Sequence, residues 1–151
     1  MAVTSTPILP QTPYLQPLDL TAQTACTTRA PTATASLAAA NIIAFTAAST
    51  NGLAIDSVKL KAAGTGITTA SAANILMIWH WDATAAKAFL IAELPIAAIT
   101  PNTTTQPSAE AELFFKNGLW LPAANRLYAA LTVTTTAAGT ALVATACGGA
   151  L

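Results

Sequence analysis

The sequence predicts an all-β fold: an antiparallel β-sandwich, jelly-roll-like, with an extended Pro-rich N-terminal arm. Three observations predict it. Short runs of branched and aromatic residues recur along the chain. Clusters of Gly, Asn, Asp and Pro punctuate them, and no stretch repeats its apolar residues at helical spacing. Strands of this length between such turn signals are the pattern of a sandwich.

The arm comes first. TPILPQTPYLQPLDL places Pro7, Pro10, Pro13 and Pro17 three or four residues apart. Proline fixes φ and biases the residue before it toward extended geometry, so residues 1–24 read as a polyproline-like arm. At ~3.1 Å per residue it would reach about 70 Å, enough to cross a neighbouring subunit. Pro7, Ile8, Leu9, Pro10, Pro13, Tyr14, Leu15 and Leu18 are its candidate partner-binding residues, since a solvated linker needs no apolar side chains between its prolines. A disordered tail is the alternative. Residues 25–151 form the single sandwich domain, and 151 residues suit one core.

Within the domain, residues 41–47 (NIIAFTA) are a strand that ends at the tight-turn pair Asn51-Gly52. In the strand at 53–62, Val58, Leu60 and Ala62 share a face, and Lys59 and Lys61 point to solvent or a partner. Residues 75–81 and 88–94 form a hairpin around DATAAK. In the strand at 109–115, Glu110 and Glu112 oppose Ala111, Leu113 and Phe115, and Asn117-Gly118 makes a turn. Leu127, Ala129, Leu131 and Val133 line one face of the next strand, and residues 140–147 close the domain. TASLAAAN could form a short helical turn.

Composition narrows the function. Charged residues are 8% of the chain, against a typical ~25%. Net charge is zero, and alanine and threonine dominate with 37 and 25 occurrences. A surface with so little charge favours assembly over life as a free monomer. Six scattered cations make no phosphate-binding patch, so no nucleic acid is expected. Polar residues interrupt every uncharged stretch, so no membrane span is expected, and no secretory signal is visible. Cys26 and Cys147 read as two reduced, small hydrophobes, although a disulfide would be possible if the first and last strands were neighbours.

WHWD is the one stretch that looks like a site. As a strand it divides: Trp79 and Trp81 share a face with Ile75 and Met77, and His80 and Asp82 share the other with Leu76 and Ile78. A His/Asp pair needs a nucleophile to become a triad, and no G-x-S-x-G is present. One histidine is poor material for a metal site. Trp79 is assigned to the sandwich core; Trp81 and Trp120 are possible interface aromatics, able to stack on a glycan or anchor a protein contact. Glu110 and Glu112 lie on one strand, not on the facing elements that glycoside hydrolysis requires, and read as a solvated stripe. Gly64-Thr65-Gly66 has no phosphate-loop lysine and is a loop signal only. No catalytic residue, cofactor or metal is expected.

The order of the elements resembles the small β-sandwich proteins that decorate or cement tailed-bacteriophage capsids. The likeness rests on NIIAFTAASTNGLAIDSVKLKA, the ILMIWHWD…AFLIAELPI hairpin, TPNTTTQPSAEAELFF, LWLPAANRLYAALTVT and the closing ALVATACGGAL, in that order over residues 26–151. Two positions depart from the family pattern: Ala124 stands where glycine is common after LPA, and Ala150 where an acid often follows Gly-Gly. The resemblance implies a structural virion protein on the capsid exterior, assembled in the host cytoplasm. Its partners would be the major capsid protein and copies of itself, as a trimer or dimer, without catalysis or cofactor. A tail or head-fibre module that recognises host glycans through exposed aromatics is the alternative.

Overall fold

The computed structural model describes residues 12–30, 32–33, 43–47, 51–62, 72–98, 100, 104, 110–135 and 142–150. They form nine strands and no helix: β1 (Thr12–Asp19), β2 (Thr32–Ala33), β3 (Ile43–Ala47), β4 (Leu53–Ala62), β5 (Asn74–Asp82), β6 (Lys87–Ile96), β7 (Glu110–Leu121), β8 (Arg126–Leu131) and β9 (Leu142–Ala150). Two antiparallel sheets result, ordered β1-β9-β4-β7 and β2-β6-β5-β8-β3. The protein is an antiparallel β-sandwich. TASLAAAN, Gly64-Thr65-Gly66 and Pro7 to Pro10 lie outside the described residues.

Alternation builds the core between the sheets. Leu53, Ile55, Val58, Leu60, Leu142, Ala144 and Ala146 face inward from one sheet, and Leu76, Ile78, Leu94, Ile96, Leu127, Ala129 and Leu131 from the other. Bulges keep β4 and β6 in phase with this core. In β4 the register shifts around Asp56, so both Ile55 and Val58 point in. In β6 the extra residue is Ile91: Ala88 and Leu90 serve the outer side, whereas Ala92, Leu94 and Ile96 serve the core.

The segment read as a free arm is in good part structural. Thr12–Asp19 is the edge strand β1, paired with β9 along its whole length, and Leu20 behind it is fully buried. Tyr14 and Leu18 pack against the core and are not free for a partner. The prolines argued against a strand, but an edge tolerates them. Leu20 N donates to Leu142 O at 2.9 Å, so the even-numbered residues carry the ladder. Pro13 and Pro17 turn their main chain to the open edge, where a missing N–H breaks no bond.

Residues 20–30 then strap the outer face of the five-stranded sheet. Cys26 N donates to Leu131 O (2.8 Å), and Arg29 pairs with Glu93 at 2.7 Å. Buried Thr135 clamps the strap: Gln23 N donates to its hydroxyl (2.9 Å), its amide donates to Gln23 O (2.9 Å), and its hydroxyl donates to Leu20 O. Asn74 ties the end of β5 to the stretch after β8, accepting from Val133 N (3.0 Å) and donating to Val133 O (3.1 Å). Val133, expected to share a face with Leu127, Ala129 and Leu131, lies beyond the end of β8 and is exposed.

Asn117-Gly118 does not end its strand as expected. β7 runs on to Leu121, and pairing jumps from Phe114 to Leu119 across a bulge with positive φ at Asn117 (79°) and Gly118 (73°). Ala124 is also left-handed (φ 68°), a conformation that glycine adopts more readily than alanine.

Candidate functional site

WHWD resolves into two environments. Trp79 and Trp81 do not enter the sandwich core. They form a second cluster on the outer face of the five-stranded sheet with Met77, Ala88, Tyr128, Ala130 and the strap's Cys26. Trp79 is fully buried and Trp81 is 8% exposed, so Trp81 is no interface aromatic. Sequence alone could not show that a strap carrying Cys26 reaches this face. His80 and Asp82 lie at the open end of the core-facing side. His80 Nε2 is 2.8 Å from Asn125 Nδ2, while Asp82 accepts from the amides of Thr84 (2.8 Å) and Ala85 (3.2 Å) and fixes the hairpin turn. Among the described residues, no three His, Cys, Asp or Glu side chains group to hold a metal ion.

The cysteines are both free, and their positions keep them apart: Cys26 is in the cluster under the strap, and Cys147 lies on the outer side of the four-stranded sheet. The first and last strands are neighbours, but Cys26 is past the end of β1.

Trp120 is different. It is 50% exposed, on the outer face of the four-stranded sheet. The strand registers lay this face out in rows. Pro13, Gly149, Ala54 and Trp120 form one row across β1, β9, β4 and β7; Leu15, Cys147, Ser57 and Phe114 form the next. Pro17, Thr145, Lys59 and Glu112 follow, then Asp19, Val143, Lys61 and Glu110.

The first two rows make a trough. Its floor is small: Gly149, Ala54 and Ser57 are buried, and Cys147 is half-buried. Its walls are large and open, with Leu15 and Phe114 each 70% exposed. Exposed apolar side chains grouped in this way mark an interaction surface more often than scattered ones do. β9 lies tight on β4: a Cβ at Gly148, which pairs with the core-facing Tyr14 and Ile55, would stand 2.0 Å from Ala54 O.

The other two rows carry five charged side chains, four of them joined in two ion pairs. Lys61 pairs with Glu110 at 2.9 Å and Lys59 with Glu112 at 3.4 Å. The Lys61 ammonium, by hydrogen bond and charge, holds the Glu110 carboxyl below its ordinary range; the Thr21 hydroxyl and amide do the same for Asp19. The four charged side chains border a shallow depression of about 410 Å³ with Leu60 and Ala111, and their mutual pairing leaves it no net charge.

Of the sequence-derived candidates, the structure therefore brings Pro13, Leu15 and Trp120 to one face, buries Trp81, and turns Tyr14 and Leu18 inward. Phe114 was missed, and its signal was present: it is the large apolar residue on the Glu110/Glu112 side of its strand. No family model matches the chain, and no match is found among curated proteins or solved structures. What defines the molecule is its class, an all-β sandwich with one covered and one open outer face.

Proposed function

We propose that the chain is a structural virion protein that binds the outside of an assembled phage capsid and stabilises it. The observation that carries this reading is the open apolar trough of Pro13, Leu15, Phe114 and Trp120 on a protein with very little charge. Strand order supports it: β1-β9-β4-β7 facing β3-β8-β5-β6, with the first and last strands side by side, is compatible with the jelly-roll arrangement. Jelly rolls recur in viral capsid and lectin domains, although a fold alone does not set a function. Many copies on one shell would make modest contacts effective through avidity. The partners are the major capsid protein and other copies of this chain. Quantitative mass spectrometry of purified source particles tests it. Hundreds of copies per particle are expected; a handful confined to a tail tip would overturn it.

A second reading has one observation in its favour, the half-exposed Trp120 indole, which could stack on a sugar ring. Trp81 and Tyr128 are both buried and cannot serve it. A glycan array with wild type and Trp120→Ala decides: binding that is lost in the variant supports a host-glycan module, and no binding in either form removes it.

A further inference from the structure

The trough has the shape of a groove for a single extended chain. Each row sets two small residues between two large ones: Gly149 and Ala54 between Pro13 and Trp120, Cys147 and Ser57 between Leu15 and Phe114. The walls stand three strand spacings apart, about 14 Å. Stacking an identical face on this one would press wall on wall and leave the floor empty, losing the contacts that make burial favourable. One extended segment would fill it. A proline-containing segment suits an aromatic-walled groove best, because its polyproline conformation is already ordered and little entropy is lost on docking.

The chain carries such a segment. Residues 4–10 read TSTPILP, two prolines around Ile8 and Leu9, with no charge. They precede β1 at the trough's apolar end, since Thr12 opens β1 and Pro13 stands in the first row. Pro7 to Pro10 would span about 12 Å in polyproline form, which matches two rows about 7 Å apart plus the side chains that border them. Only Gln11 separates Pro10 from Thr12, one residue fewer than the two a β-turn needs at its centre, so too little chain is left for residues 7–10 to turn back over the same molecule's trough. Pairing along the free edge of β1 is blunted, because Pro13 and Pro17 offer it no N–H. We propose that residues 4–10 of a second copy of this chain lie in the trough, so that copies are linked by exchange of their N-terminal segments.

It rests on the reading above in one respect, assigning the trough to the contact between copies, while its test needs only copies of the chain and so can fail without deciding whether the protein binds a capsid. The test uses Cys147, half-buried on the trough floor, as a reporter. Full-length Ile8→Cys and Leu9→Cys, each made separately, are oxidised mildly and analysed by non-reducing gel and peptide mass spectrometry. Cys26, 1% exposed under the strap, is out of reach. Disulfides joining position 8 or 9 of one chain to Cys147 of another are expected at one or both positions. They should vanish with Cys147→Ser and fall about tenfold with Phe114→Asp, the loss of one aromatic anchor. A disulfide within one chain, linkage that bypasses Cys147, no cross-link at either position, or indifference to Phe114→Asp would each overturn the proposal.

Discussion

The two outer faces of this sandwich make opposite use of the same residue type. On the five-stranded sheet, Trp79, Trp81 and Tyr128 are buried with the strap's Cys26. On the four-stranded sheet, Trp120 and Phe114 stand in the open. Aromatic alternation along a strand says that a face will be covered; it does not say by what. In one case the cover is part of the same chain, held by Thr135 and the Arg29–Glu93 pair. In the other, nothing among the described residues supplies it.

The difference is one of stability against association, and substitutions should separate the two. Trp79→Ala should cost about 3–5 kcal/mol in denaturant unfolding, as a large core truncation does. Trp120→Ala should stay within about 0.5 kcal/mol of wild type, as for an exposed site. Equal costs would erase the distinction between the faces. Trp79→Phe should cost far less than alanine, because Trp79 Nε1 is buried with no hydrogen-bond partner among the described residues and its loss breaks no bond.

Gly148→Ala probes the seam between β9 and β4 in the four-stranded sheet. Its Cβ would meet a backbone carbonyl of β4, so the strands must part, at about 3 kcal/mol. Unfolding midpoints that match wild type would mean that β9 does not lie so close. Thr135→Val probes the cover. It strips Gln23 N and Leu20 O of their partner and should cost about 1–3 kcal/mol, with faster amide exchange in residues 21–27 as the sign that the strap, rather than the core, has loosened.

Two smaller effects follow. Ala124→Gly relieves a left-handed alanine and should raise stability by about 0.5–1 kcal/mol in thermal unfolding. Asp19 and Glu110 are both held below their ordinary carboxylate range by Thr21 and Lys61. A depressed folded-state pKa contributes stability above the unfolded value and loses it as pH falls through the folded one. The contribution should therefore be present at neutral pH and fade on the acid side, below the usual carboxylate range. Both groups are solvent-exposed, so the effect is small, and Glu110→Gln should remove its share of the acid sensitivity.

Much of the sandwich was legible in the sequence. The hairpin around DATAAK, the face of Val58 and Leu60, and the Glu110/Glu112 stripe follow from a period of two and from turn residues. Three features did not follow, for separate physical reasons. β1 looked like polyproline because prolines oppose a ladder, and only its edge position makes them harmless. Asn117-Gly118 looked like a turn because a bulge needs the same positive φ. The trough was invisible because its rows join residues as far apart as Leu15 and Phe114, and register across four strands is a tertiary fact. Trp81 was misread for the same reason: its cover comes from a distant part of the chain.

The most direct test of the two-face account is hydroxyl-radical footprinting of the tryptophans and Phe114, first in the dilute chain and then in the phage particles that the proposed function calls for. In the dilute chain, Trp120 and Phe114 should be modified readily while Trp79 and Trp81 stay protected. In particles, Trp120 and Phe114 should become protected too. Trp81 reacting as fast as Trp120 in the free chain, or Trp120 remaining fully reactive in particles, would contradict the account.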